Sequence, residues 1–248
     1  YHSLYDYPTS HSRAAPGLNE PRMPYHLLAT MNRLQLAQIS LEFHLGSRLR
    51  AIESLSRDLS FQRRLLENAD QLILKILAAN MLSRDLHTLS QLLDSDLYLH
   101  EHLPDLTDVL LDLSSEERSV DTCIRREFEA MANLMLTMKS ARPFDTNTEI
   151  PEWMMGALYK PNATVNRTFE RYEKTHVLAT LSPSELAHVS QERGPGSELL
   201  TPTIIDYVLN PLGTILVKIA SPELDQYPPV LSDLTGLLRL VRLKRAIR

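Results

Sequence analysis

This sequence predicts an all-α fold, and three observations carry the prediction. Leucine, a strong helix former, is the most frequent apolar residue, whereas aromatic residues, which favour strands, make up only 6% of the chain. Apolar residues recur at intervals of three and four over long stretches. Ser-Pro and Ser-x-x-Glu strings stand where helices would begin. We expect a long antiparallel helical hairpin with shorter helices packed on it, either solenoid-like or an irregular bundle.

The first 24 residues differ from the remainder. They contain Pro8, Pro16, Pro21 and Pro24, and no helical period survives among them. We predict an extended N-terminal arm over residues 1–24, docked through its tyrosines, and a single helical domain over residues 25–248.

Two apolar stripes predict the helical hairpin. The first begins near Tyr25, continues to Leu59 and is interrupted at Gly46, where we expect a bend or a close backbone contact. The second covers residues 65–93. Between them only the stretch from Asp58 to Ser60 suggests a turn, so a helical hairpin is the natural packing.

Shorter helices are predicted from their start signals. Ser114 with Glu117 forms a capping box before a stripe that reaches Met138, and Asn162 is a plausible N-cap. Ser182 begins another helix with Pro and Glu in its first turn. A short helix over 106–113, another over 151–159 and a last one from about Leu231 complete the prediction.

The apolar stretch 199–220 comes nearest to a membrane span, but it contains two charges and two prolines. We interpret it as two buried segments, 204–209 and 212–220. Both are expected to be helices, although a strand over the second remains an alternative.

Composition limits the classes of partner and chemistry. The net charge of −5 and the pI of about 6.0 argue against a nucleic-acid partner. The single cysteine, Cys123, excludes an internal disulfide and is expected to be a small buried residue. Glycine-rich phosphate loops and nucleophile elbows are absent from the sequence. We expect no cofactor and no catalytic residues.

The string His100-Glu101-His102 is a candidate metal site. His100 and His102 flank Glu101, and two His ligands at this spacing can bind a metal from a loop. A solvated loop explains the string better, because no second ligand motif accompanies it. We therefore predict no metal site.

Three regions are candidate partner-binding surfaces. The arm contributes Tyr5 and Tyr7, and a methionine-rich region contributes Trp153 and Met154. The last helix contributes Arg239, Arg242 and Arg245, although basic residues there also complement the helix dipole.

Several strings resemble a group of poorly characterised helical proteins of Gram-negative bacteria. They are residues 68–93, 114–131, 159–166 (Tyr-Lys-Pro-Asn-Ala-Thr-Val-Asn), 210–213 (Asn-Pro-Leu-Gly) and 233–240 (Asp-Leu-Thr-Gly-Leu-Leu-Arg-Leu). The resemblance covers most of residues 60–248. It implies a single hydrophobic segment upstream of Tyr1, and hence a membrane-anchored or exported domain in the periplasm. A cytoplasmic location is the alternative.

These observations together predict a function. We expect a non-catalytic structural or interaction protein, an accessory component of a membrane-associated or cell-envelope assembly with protein partners. The alternative is an enzyme or amphiphile-binding protein with its site in an inter-helix cleft. An exposed apolar patch would favour the first, and a deep cleft with converging polar groups the second.

Overall fold

A computed structural model of the chain describes residues 2–6, 24–95, 106–137, 156–193, 203–220 and 227–247. Within these ranges every regular element is helical, which confirms the all-α prediction. The α-helices are α1 (Tyr25–His44), α2 (Arg48–Asn68), α3 (Leu72–Asp94), α4 (Ser115–Arg118), α5 (Asp121–Thr137), α6 (Pro161–Thr180), α7 (Pro183–Arg193), α8 (Ile204–Leu209), α9 (Pro211–Ala220) and α10 (Tyr227–Ile247). The 3-10 helices are His2–Asp6 and Asp108–Leu110.

Helices α1, α2 and α3 pack against one another and bury the largest part of the core. Their apolar stripes supply side chains with no more than 1% of their surface exposed, among them Ile39, Phe43, Ile52, Leu82 and Leu86. The turn expected between Asp58 and Ser60 is wrong, because α2 continues through it. The chain instead breaks at residues 45–47 and 69–71, so three helices occupy the region predicted to hold two.

Gly46 ends α1. Its φ of +98° lies in the left-handed region, which glycine adopts without steric cost. The amide of Ser47 then donates to the carbonyl of Glu42 at 2.9 Å, and that of Gly46 to Phe43 at 3.2 Å. These two bonds form a Schellman motif, which satisfies the last carbonyls of the helix. The interruption predicted at Gly46 is therefore a helix end.

Arg63 of α2 holds the segment that follows residue 106. Its guanidinium donates to the carbonyls of Val109, Leu111 and Asp112 at 2.6–3.2 Å. It also forms a two-bond ion pair with Glu117, each bond 2.8 Å long. Glu117 completes the predicted capping box with Ser114, which is confirmed.

The helix begun at Ser114 is shorter than predicted. It ends at Arg118, and α5 begins separately at Asp121. Buried Lys75 contacts the backbone at this break, where its ammonium donates to the carbonyl of Glu116 at 3.0 Å. In a continuous helix that carbonyl would accept the amide of Val120.

Two further helix starts can be compared with their predictions. Ser182 forms the expected capping interaction, its amide donating to Glu185 at 2.8 Å. Asn162 is not the N-cap of its helix. Pro161 is already the first residue of α6, a position at which its missing N–H costs nothing.

The contacts divide the chain into two compact units. The first comprises Tyr1–Ala14, Pro21–Cys123 and Val230–Arg248, and the second Ala15–Glu20 and Ile124–Pro229. In the second unit, Tyr159 donates to the carbonyl of Met135 at 2.5 Å. The grouping does not test whether either unit folds alone, so the single domain over 25–248 stays a prediction.

We predict that Gly46→Ala and Gly236→Ala change stability in opposite directions. Neither added methyl group meets an atom within 4 Å, so only backbone conformation differs between the sites. Gly46→Ala forces a positive φ on alanine and should lower the free energy of unfolding by about 1–2 kcal/mol. Gly236→Ala, within α10, should raise it by about 0.5–1 kcal/mol. Urea denaturation measures both, and a neutral Gly46→Ala would contradict the assignment.

Candidate functional site

Helix α8 presents an apolar surface to solvent. Exposed fractions are 84% for Ile204, 67% for Ile205, 72% for Val208 and 54% for Leu209, with Tyr207 at 40%. None of the six residues of this helix is buried. We call these five side chains the α8 surface. Contiguous exposed aliphatic residues on a well-formed helix are typical of an interaction site.

The remaining residue of α8, Asp206, anchors the helix. Asp206 closes a capping box with Thr203, accepting the Thr203 amide at 2.6 Å, and pairs with Arg167 of α6. The Thr203 hydrogen bond, and then that from Arg167, hold the pKa of Asp206 at about 2. The anchor is therefore charged throughout the physiological pH range.

The C-terminal end of α8 is fixed to α6. The Asn210 side chain accepts the Lys160 amide at 2.9 Å and donates to the Thr164 hydroxyl at 2.9 Å. Gly213 of α9 approaches Thr164 and Asn210 so closely that a Cβ would collide with both. Both ends of α8 are thus held by residues about 40–50 positions away in sequence.

This surface corrects one sequence-based expectation. The helices predicted at 204–209 and 212–220 are confirmed, the second beginning at Pro211, but the interpretation of the first as buried is wrong. The apolar run gave no sign of its exposure, because one acid among five apolar residues does not define a polar face.

A second apolar face lies along α1. Leu27, Met31, Leu34, Leu41 and Leu45 are 42–76% exposed, while the opposite face packs into the core. Helix α1 is consequently apolar on more than one side, which is unusual for a helix at a protein surface.

The α1–α3 bundle contains a buried polar cluster that the sequence interpretation missed. Asn32 donates its side-chain nitrogen to Asp58 at 3.2 Å and to Asp85 at 2.9 Å, and Gln62 donates to Asp58 at 3.1 Å. All four side chains have 0% exposure. A signal was present, because each residue takes an apolar position of its stripe: Asn32 lies four residues after Leu28, for example.

Asp85 is the member of this cluster whose surroundings disfavour a negative charge. Burial, and secondly the nearby Asp58, raise the pKa of Asp85 well above its ordinary value, against the opposing hydrogen bond from Asn32. Its Oδ2 atom has no hydrogen-bond partner among the described residues. The neutral acid is the form that this environment favours.

The structure places Tyr5 in contact with α2. Its ring packs edge-on against Phe61 at 5.6 Å, and its carbonyl accepts a hydrogen bond from Arg64 at 3.0 Å. Residues 2–6 form a 3-10 helix where an extended arm was predicted.

The basic residues of the last helix pack against the same unit. Asp112 pairs with Arg239 at 2.6 Å and with Arg242 at 3.7 Å, and Lys244 pairs with Asp94. Arg245 is partly exposed. Of the three arginines predicted to bind a partner, Arg239 and Arg242 thus form ion pairs with Asp112 of this chain.

The remaining candidates, Tyr7, Trp153, Met154, His100 and His102, lie outside the described residues. In the described ranges, no group of three or more His, Cys, Asp or Glu side chains could hold a metal ion. The helices of those ranges include none long and apolar enough to cross a membrane.

Comparison with protein-family models, with curated proteins and with solved structures gives no match to this chain. The resemblance to poorly characterised helical proteins of Gram-negative bacteria therefore stays a prediction.

We predict that Asp85→Asn becomes more favourable as pH rises. The pKa of Asp85 in the folded protein lies above its unfolded value near 4. The contribution of Asp85 to the stability of the fold is therefore fully present below pH 4 and is lost as pH rises through the folded pKa. Relative to wild type, the variant should gain about 1 kcal/mol or more between pH 5 and pH 8.

Urea denaturation at the two pH values measures this gain. Asp112→Asn is the control, because pairing with Arg239 lowers the pKa of Asp112 and leaves it ionised at both pH values. Its effect should be constant between them. An equally constant effect of Asp85→Asn would show that Asp85 is not held neutral.

Proposed function

We propose that the protein is a non-catalytic interaction protein, an accessory component of a membrane-associated or cell-envelope assembly, and that it binds a protein partner through the α8 surface. The single observation that carries the proposal is the exposure of Ile204, Ile205 and Val208 on an anchored helix. Burying such a side chain contributes about 1.5–3 kcal/mol, so three in one groove are enough to dominate an interface.

The anchoring of α8 supports a protein partner with a complementary apolar groove. A helix fixed at both ends, by Asp206 and by Asn210, offers its side chains in one arrangement. Binding then requires little ordering of this side of the interface. The membrane-associated setting rests on the sequence resemblance alone.

The test uses the full-length protein in native membranes. The double variant Ile205→Ser with Val208→Ser should keep the melting temperature within a few degrees of wild type, because exposed side chains contribute little to stability. Affinity purification of this variant, quantified by mass spectrometry, should recover roughly tenfold less partner than wild type, or less still.

The matched control is Leu240→Ser with Leu243→Ser on α10, where the side chains are 59% and 61% exposed. Partner recovery should be unchanged in this variant. Equal recovery with both double variants would exclude the α8 surface, and a wild-type protein recovered alone would overturn the proposed function.

A further inference from the structure

A cavity of about 640 Å³ lies beside α2 in the first unit. Its lining comes from the 3-10 helix His2–Asp6, from α1 and from α2. The volume is within the range of small-molecule sites, about 300–1,000 Å³.

The described residues that line the cavity are all of polar types. They are four serines, Gln35, Tyr5, Asp6, Arg57 and Arg64, and none of them is aliphatic. Most sites for apolar ligands are lined by hydrophobic residues, so this lining fits a polar ligand. Two guanidinium groups against one carboxylate favour a negative charge on that ligand.

Helix periodicity brings the cationic groups together. Arg57, Ser60 and Arg64 follow one another at intervals of three and four, and therefore lie along one face of α2. Two turns of helix separate the arginine positions by roughly 10 Å along the axis. Long side chains on the same face can converge on one group from that distance.

Both arginines retain donor capacity. Arg64 donates one N–H to the Tyr5 carbonyl at 3.0 Å, while its Nε is buried without a hydrogen-bond partner among the described residues. Arg57 is exposed and forms no ion pair within the same ranges.

Tyr5 adds no negative charge to the cavity. Burial, and secondly Asp58, raise the pKa of its hydroxyl, so the side chain stays neutral. Asp58 is buried and lies outside the lining, whereas Asp6 is on the cavity wall itself.

We propose that this cavity binds a phosphate group carried by a small organic molecule or a lipid headgroup, with Arg57 and Arg64 as its cationic ligands. A phosphate has three or four acceptor oxygens and up to two charges, which suits two arginines and several hydroxyl groups. A single carboxylate would be satisfied by one arginine. This site is independent of the α8 surface.

The test titrates the full-length protein with glycerol 3-phosphate in a calorimeter, with glycerol and with sodium chloride at matched ionic strength as controls. Wild type should bind glycerol 3-phosphate and neither control. Arg57→Gln should weaken binding roughly tenfold, since one charge-assisted hydrogen bond is lost. Arg50→Gln is the matched control on the same helix, because Arg50 is 77% exposed and outside the lining.

A vesicle arm identifies the source of the phosphate. Flotation with phosphatidylglycerol vesicles, against phosphatidylcholine vesicles, should be weakened by Arg57→Gln and not by Arg50→Gln if the ligand is a headgroup. Arg57-dependent binding in either arm supports the proposal. Failure to bind in both arms, or binding that Arg50→Gln weakens equally, overturns it.

Discussion

The ion pair between Arg63 and Glu117 is the contact on which the first unit depends. The two side chains are 14% and 6% exposed, so each charge is largely withdrawn from water and needs the other. Arg63 also takes the carbonyls of Val109, Leu111 and Asp112, which no helix or strand satisfies. One side chain thereby fixes a segment that has almost no regular structure of its own.

Asp112 connects Arg63 with the last helix, α10. With its carbonyl held by Arg63, Asp112 presents its carboxylate to Arg239 and Arg242 of α10. Surface ion pairs of this kind contribute little individually. Their effect here is positional, because α10 also buries Leu234, Leu238 and Val241 in the core of the same unit.

The buried polar cluster imposes a different constraint, on helix alignment. Asn32, Asp58 and Asp85 lie near the middle of three successive helices, and only one alignment brings them together. The amide nitrogen of Asn32 donates to both acids and Gln62 adds a second donor to Asp58, while one oxygen of Asp85 has no hydrogen-bond partner among the described residues. Apolar residues at these positions would suit several alignments, whereas a misaligned cluster would leave buried carboxylates without a donor.

Features that depend on neighbouring residues can be predicted from the sequence, and contacts between residues far apart in the chain cannot. The capping boxes at Ser114 and Ser182 depend on residues three positions apart, and their chemistry predicts them directly. The stretch from Asp58 to Ser60 suggests a turn in the sequence, whereas in the fold Asp58 lies beside Asn32 and Asp85, which are 26 and 27 residues away along the chain. At the break after Arg118, the carbonyl of Glu116 likewise meets a residue distant in sequence, Lys75.

The candidate site illustrates the same limit. Nothing local distinguishes Ile204 and Val208 from core residues, since exposure depends on what packs above them. An isolated helix of six residues is too short to be stable in water, because nucleation costs more than so few hydrogen bonds return. Its order comes from Arg167, Lys160 and Thr164, all on or beside α6. Mostly exposed side chains held in place by such distant anchors form a surface that is already ordered, so that the proposed partner would bind without ordering it.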